Sequence, residues 1–252
     1  MTADRHEVFL PIDGLAIAIG YWSGDESRAL RLARLIADIE PVMRDDVTLY
    51  LVPRHDVEIS DEAKATVWHC QGKMKAGIVG DLPLVKTGHP DAPNEMWSAI
   101  VTRLAHVWAD GHGRPNVFTC EPDGCPVAVD WIDRLKAAHE LGLRFGKRVT
   151  GALTQSPAMI GPHLNGTLVM HLSMALDRPS ILSTPPNQAW DLFHRVAFLA
   201  ESGPHSGRII NPYGAKGWPD EVLEAMGREV AWISNTKDDS ALAWAEANLI
   251  HR

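Results

Sequence analysis

The chain predicts an α/β fold with a mainly parallel central sheet flanked by helices, and three observations predict it. Leu15-Ala-Ile-Ala-Ile19 is a short continuous apolar run, the pattern of a strand covered on both faces. Segments with apolar residues three and four apart alternate with such runs along the first half of the chain. The composition, 45% apolar and 22% charged over 252 residues, is that of a globular chain able to bury a sizeable core.

The elements follow in order. After the first strand, Ser23 and Glu26 have capping-box spacing, Ala29, Leu32, Ala33, Ile36 and Ile39 mark one helix face, and Pro41 ends the segment. Val47 to Val52 reads as the second strand and Thr66 to Cys70 as a third, with a polar, helix-compatible stretch between them. Gly72 to Pro93 is rich in Gly, Pro and Lys and reads as a long loop. A helix carrying Met96, Trp97, Ile100, Val101, Leu104 and Val107 comes next, then a strand at Val117 to Thr119, a helix near Val129 to Leu141 and a strand at Arg148 to Leu153. The second half adds helical patterns near Gly166 to Leu176, Ala189 to Glu201, Pro219 to Met226 and Ser240 to Ile250, and short strands at Arg208 to Ile210 and Val230 to Ile233. With no repeat or clear linker, a single domain is expected.

Charge and cysteine content narrow the function classes. A formal net charge of −8 is not the footprint of a nucleic-acid binder, so any such contact needs a local basic patch. No apolar stretch is long enough to span a bilayer, and Met1 to Glu7 lacks the apolar core of a secretory signal, so a cytoplasmic protein without a membrane partner is expected. Three cysteines are an odd number and argue for reduced thiols; Cys120 and Cys125 lack the further ligands of a tetrahedral zinc site. Most of the nine Trp, including Trp97, Trp108 and Trp131, fall on helix core faces. Dinucleotide and P-loop glycine fingerprints and the G-x-S-x-G nucleophile turn are all missing.

The strongest chemical feature is Val117-Phe-Thr-Cys-Glu121-Pro-Asp123-Gly-Cys-Pro126, a strand that runs straight into two carboxylates. Residues two apart in extended chain point the same way, so Glu121 and Asp123 converge, which suits a hard divalent cation that also holds a phosphate oxygen. The same spacing occurs in solvated acidic turns; its place at a strand end favours the site. Pro162-His163-Leu164-Asn165-Gly166 groups an imidazole and an amide beside a glycine, a set able to orient sugar hydroxyls. Asp191 opens a helical pattern, where a carboxylate also simply favours the positive end of the helix dipole.

These segments resemble GT-A-type glycosyltransferases, in particular a group of bacterial and bacteriophage glycosyltransferase-like proteins. The matching pieces are Gly20-Tyr-Trp-Ser-Gly-Asp25, Leu35-Ile-Ala-Asp-Ile-Glu-Pro41, Gly88-His-Pro-Asp-Ala-Pro-Asn94-Glu-Met-Trp97, Glu121-Pro-Asp123, Pro162-His-Leu-Asn-Gly166, Ala189-Trp-Asp191 and Thr236-Lys-Asp-Asp-Ser240. The resemblance implies a GT-A-like, Rossmann-like single domain, with a nucleotide-binding part over about residues 12–126 and an acceptor part over about 127–252. It implies transfer of a sugar from a nucleotide-diphosphate sugar, such as a UDP-sugar, to an acceptor hydroxyl, with Mn²⁺ or Mg²⁺ on Glu121 and Asp123. Gly20, Tyr21, Trp22, Asp25, Asn94 and Asn165 inherit donor-binding roles, and Asp191 and His163 catalytic ones, with Asp177 second to Asp191. Ser234-Asn235-Thr236-Lys237-Asp238 is similar to the family's His-Gly-x-Lys-Asp segment, so Lys237 inherits a place at the diphosphate. Ser234 stands where the family has a metal-ligating His. The acceptor implied by the phage-encoded relatives is a hydroxymethylated pyrimidine in DNA, beside a small molecule or a glycan; Lys73, Lys75, Lys86, Arg144, Lys147 and Arg148 are the basic residues for phosphate contacts. A metal-dependent phosphoesterase and a non-catalytic nucleotide-sugar-binding module are the alternatives.

Overall fold

The computed structural model describes residues 14–80, 82, 85–154, 162–203, 208–212, 216–234, 236 and 238–250. The helix-and-strand alternation is present: β1 (Leu15–Tyr21), α1 (Glu26–Ile39), β2 (Arg44–Pro53), α2 (Asp61–Cys70), β3 (Met74–Ile78), α3 (Asp91–Ala109), β4 (Asn116–Cys120), β5 (Cys125–Pro126), α4 (Trp131–Arg144) and β6 (Val149–Thr154). The second half holds β7 (His163–His171), α5 (Ser173–Asp177), a 3₁₀ turn (Pro179–Leu182), α6 (Trp190–Phe193), α7 (Arg195–Ala200), β8 (Ile209–Ile210), α8 (Asp220–Met226), β9 (Trp232–Ile233) and α9 (Ser240–Leu249).

Six strands form one sheet in the order β3-β2-β1-β4-β7-β6, and β5-β9-β8 form a small second sheet. β1, β2, β3 and β4 are parallel, and β7 runs antiparallel between β4 and β6. The alternation within β1 shows how the two faces are filled. Leu15, Ile17, Ile19 and Tyr21 enter the core with α1, α4 and α9, whereas Ala16 and Ala18 enter the core with α3 and α5. Small residues on that second face bring α3 close: a Cβ on Gly20 would lie 2.5 Å from the Met96 sulfur. Beyond Ala18 the same face opens into a cavity.

Three sequence expectations are corrected. Thr66 to Cys70 is the last part of α2, whose start is set by Ser60, the hydroxyl of which accepts the Ala63 amide at 3.0 Å. The β-branched Thr66 and Val67 mimic a strand, but the capped helix takes them; the third strand is β3, inside the segment read as a loop. Gly166 to Leu176 is mostly β7, because a strand buried on both faces has no period-two signal to separate it from a buried helix. Glu26 does not close a capping box with Ser23: α1 is entered from Asp25, and Glu26 instead accepts the Ser60 hydroxyl at 2.7 Å. No described helix is long and apolar enough to cross a membrane.

Candidate donor site

The cavity holds about 700 Å³ at the C-terminal ends of β1 and β4, within the range of small-molecule sites. This is where parallel α/β sheets bind ligands, because the strands end there and the loops to the helices splay apart. Ala18 and Gly20 form part of its wall, Trp22 and Asp25 come from the turn into α1, and Thr119, Glu121 and Asp123 from the end of β4. His89, Ala92, Pro93, Met96 and Trp97 close it from the start of α3.

Of the residues singled out in the sequence, Gly20, Tyr21, Trp22, Asp25, Glu121 and Asp123 all line this one cavity. Tyr21 is otherwise a core residue, and burial pushes its phenol up to about 12, so it stays neutral. Trp22 is 47% exposed at the rim, with the Arg54 guanidinium 5.8 Å from its ring centre. Arg54 is held in turn by the Asp56 carboxylate.

The acidic turn is locked to the C-terminal segment. Thr236 donates to the Asp123 carbonyl oxygen from its backbone amide and from its hydroxyl, both at 2.8 Å. Arg28 Nη2 donates to the Thr236 hydroxyl at 3.2 Å, to its carbonyl at 3.3 Å and to the Asp238 carbonyl. Both Arg28 and Thr236 line the cavity, and neither is among the site residues expected from the sequence. Arg28 belongs to the stripe Arg28, Arg31, Arg34, which resembles an ordinary solvated helix face.

A second group lies beside the cavity. Trp97 and Trp190 stack with centroids 3.8 Å apart and planes at 15°, and both rings line the wall. Asn94 does not line this cavity: its amide donates to the Gln188 carbonyl at 2.6 Å and its oxygen accepts the Trp190 amide at 3.0 Å. It is the clamp that fixes Trp190, a positioning role in place of the donor contact expected from the sequence. Asp191 follows Trp190, 4.0 Å from His163 Nε2. Burial raises the Asp191 carboxyl above its ordinary range, against the opposing pull of His163 and of His89, which lines the cavity. His163 and Asp191 are thus brought together next to the lining residue Trp190, although neither lines the cavity itself. Asn165 accepts the Thr167 amide at 3.0 Å and the Ser234 hydroxyl at 3.4 Å, joining β7 to the end of β9.

Other expectations fall away from the site. Asp177 binds Arg148 at 2.6 Å, at the start of β6 and the far end of the sheet, so it is no alternative to Asp191. Lys237 and Asn235 lie outside the described residues. Lys73 and Lys75 sit at the N-terminal end of β3, and Arg144, Lys147 and Arg148 immediately before β6, at the opposite end of the sheet from the cavity; Lys86 precedes α3. The basic groups do not converge on the site face, because strand starts and strand ends lie on opposite edges.

β4 ends at Cys120 and Pro122–Asp123 form a turn, so the extended-chain reason for pairing Glu121 with Asp123 does not hold; both carboxylates nevertheless line the cavity, which offers a divalent ion a set of two there. Among the described residues no three His, Cys, Asp or Glu side chains come together to hold a metal, and Ser234, 1% exposed, bonds Asn165 and the Ile210 carbonyl. A hard ion such as Mg²⁺ accepts such a set, because it completes its shell with phosphate oxygens and water.

No family model matches this chain, and no characterised protein sequence matches it. Solved structures do. The apo form of the glycosyltransferase GlyE of Streptococcus pneumoniae TIGR4 superposes with a TM-score of 0.52 at 8% identity, over 95% of this chain and 60% of that one. A second GlyE structure gives 0.53 at 6% identity, over 95% and 61%. Residues 1–349 of Staphylococcus aureus TarS, in complex with UDP-GlcNAc, give 0.50 at 9% identity, over 89% and 59%. The chain therefore has the fold of GT-A-type glycosyltransferases, and it spans about three fifths of the length of these neighbours.

Proposed function

We propose that this chain, acting as a single domain, is a glycosyltransferase that binds a nucleotide-diphosphate sugar in the cavity between the Gly20–Asp25 turn and the Glu121–Asp123 turn. One observation carries the reading: six residues chosen from two distant segments for donor and metal binding share one cavity at the strand ends of a GT-A fold. The UDP-GlcNAc held by TarS makes a UDP-sugar the first donor to try. The nucleotide-binding part is about residues 12–126 and the acceptor part about 127–252. Three buried free thiols, Cys70, Cys120 and Cys125, go with a reducing, cytoplasmic location.

Transfer breaks the bond between the anomeric carbon and the diphosphate, and both electrons leave with the phosphate oxygen. The acceptor hydroxyl forms the new bond and its proton passes to a base. Glu121 and Asp123 would hold Mn²⁺ or Mg²⁺, which when bound neutralises the leaving diphosphate; Lys237 is a second candidate for that charge. Asp191 is the proposed base, and its raised proton affinity suits it better than an exposed carboxylate. His163 orients Asp191, Asn94 fixes the segment that carries it, and Asn165 ties β7 to the Ser234 strand end.

For the acceptor, the charge distribution favours a small molecule or a glycan. A hydroxymethylated pyrimidine in DNA requires phosphate contacts near the cavity, and five of the six basic residues considered lie at the other end of the sheet. A two-metal phosphoesterase has no supporting ligand cluster among the described residues.

The test is turnover of a panel of nucleotide sugars by the purified chain, read as release of nucleoside diphosphate. Release that depends on Asp123 is expected, and acceleration by a hydroxyl acceptor identifies the acceptor class. Release of inorganic phosphate from phosphoesters instead would replace the reading, and nucleotide-sugar binding with no turnover would leave a binding module.

A further inference from the structure

The cavity's carboxylates pose an electrostatic problem for the donor reading on which this inference rests. Asp25, Glu121 and Asp123 all line the place where a diphosphate would lie, and their charge has the same sign as its own. The cavity wall also carries two arginines. Arg54 belongs to the rim, where Asp56 and Trp22 hold it. Arg28 lies at the acidic end, linked to the Asp123 carbonyl through Thr236.

The hydrogen-bond inventory of Arg28 leaves part of its guanidinium uncommitted. Nη2 is used by Thr236 and Asp238. Nε is 3.1 Å from an Asp239 oxygen, an ion pair without a hydrogen bond, and the same carboxylate is shared with Arg31 Nη1 at 2.6 Å. Nη1 makes no hydrogen bond to any described residue, and the Arg28 side chain is only 18% exposed. A guanidinium held by hydrogen bonds through Nη2 and by an ion pair at Nε, and largely buried, loses little entropy when its remaining donors meet an anion.

We propose that Arg28 is a protein-borne cation for the donor diphosphate, acting beside any divalent ion on Glu121 and Asp123. As the anomeric C–O bond breaks, the electron pair collects on the phosphate oxygen and Arg28 donates a hydrogen bond to it; the acceptor's proton goes to the base and not to Arg28. Such a contact strengthens as charge develops, so it favours the transition state over the bound donor. The chain thereby retains diphosphate affinity without a metal, which offsets the poverty of a two-carboxylate site.

The test is calorimetric binding of uridine, guanosine, cytidine and adenosine diphosphates in EDTA, with the tightest carried forward beside its uncharged nucleoside. Arg28→Gln is expected to weaken the diphosphate about tenfold to a hundredfold and to leave the nucleoside unchanged, the loss of one charge-assisted hydrogen bond. Arg28→Lys should recover part of the loss, because a point charge replaces the fork. Arg31→Gln, which removes a neighbouring cation bound to Asp239 and Glu246, should change neither ligand by more than about twofold. Equal weakening of nucleoside and diphosphate by Arg28→Gln would reduce Arg28 to a structural tie and overturn the proposal. Wild-type affinity in Arg28→Gln would overturn it as well, with the donor reading intact. A wild-type chain that binds none of the diphosphates, with or without Mg²⁺, would overturn the donor reading and this inference together.

Discussion

Thr236 closes on Asp123 with two hydrogen bonds to a single carbonyl oxygen, both 2.8 Å long, across a sequence separation of more than a hundred residues. The turn bearing the cavity's acidic pair is therefore held from the C-terminal segment and not by β4 alone. Thr236→Val deletes the hydroxyl but leaves the amide bond, so a loss of about 1 kcal/mol is expected, read by urea unfolding. Diphosphate binding should weaken too, because Arg28 loses an anchor. Unchanged stability and binding would show that the hydroxyl bond is not formed in solution.

Gly124 tests the same turn from its other side. A Cβ there would lie 2.6 Å from the Trp232 indole nitrogen and 2.9 Å from the Ile233 carbonyl oxygen. Gly124→Ala must shift either the acidic turn or β9, and a cost of about 1–3 kcal/mol is expected. Gly77→Ala is the control, since its Cβ meets nothing within 4 Å, and its effect should stay within about 0.5 kcal/mol. Equal effects at the two positions would mean that the turn is loosely packed.

The far edge of the sheet supplies a pH test of stability. Arg148 binds Glu201 with Nε and Nη2, both at 3.0 Å, and holds the Glu201 carboxyl below its ordinary range. A lowered folded-state pKa contributes stability above the unfolded value of about 4.3, and that contribution is lost as pH falls through the folded-state value. Arg148→Gln should therefore cost about 1.5–3 kcal/mol at pH 7 and distinctly less once acid has protonated Glu201. The same loss at pH 7 and in acid would remove the charge from the explanation.

At the acceptor side, Asp191→Asn is expected to cut transfer by about 10²- to 10⁴-fold with nucleotide affinity unchanged. The rate of the wild-type chain should fall on acidification at a pH above the ordinary carboxylate range, since burial raises this group. An acid limb at the value of an exposed Asp, or full activity in Asp191→Asn, would assign the proton to another group.

Much of this was legible in the sequence where a signal is local. The run Leu15–Ile19 identified β1, and the acid-x-acid pair after Val117–Cys120 identified the turn that lines the cavity. Helix α2 and strand β7 differ from the sequence expectation for two physical causes: the β-branched pair Thr66–Val67 mimics a strand inside a short helix with only Ala63, Thr66 and Cys70 buried, and β7, buried along most of its length, carries no period. Arg28 and Thr236 were invisible because their meaning lies in a contact across about two hundred residues, and nothing in a helix stripe of arginines says which one turns inward. Asn94 illustrates the converse. It was singled out as a site residue, and its segment does border the cavity, but its side chain is spent on holding Trp190.

The central claim is that the cavity between Gly20–Asp25 and Glu121–Asp123 is a nucleotide-sugar donor site, and calorimetric titration with a UDP-sugar and Mg²⁺ tests it most directly. The account expects saturable binding to the wild-type chain, weakened at least tenfold in Asp123→Ala and unchanged in Glu58→Ala, an exposed carboxylate outside the cavity. Equal affinity of Asp123→Ala and Glu58→Ala, or no binding of any nucleotide sugar by the wild-type chain, would contradict it.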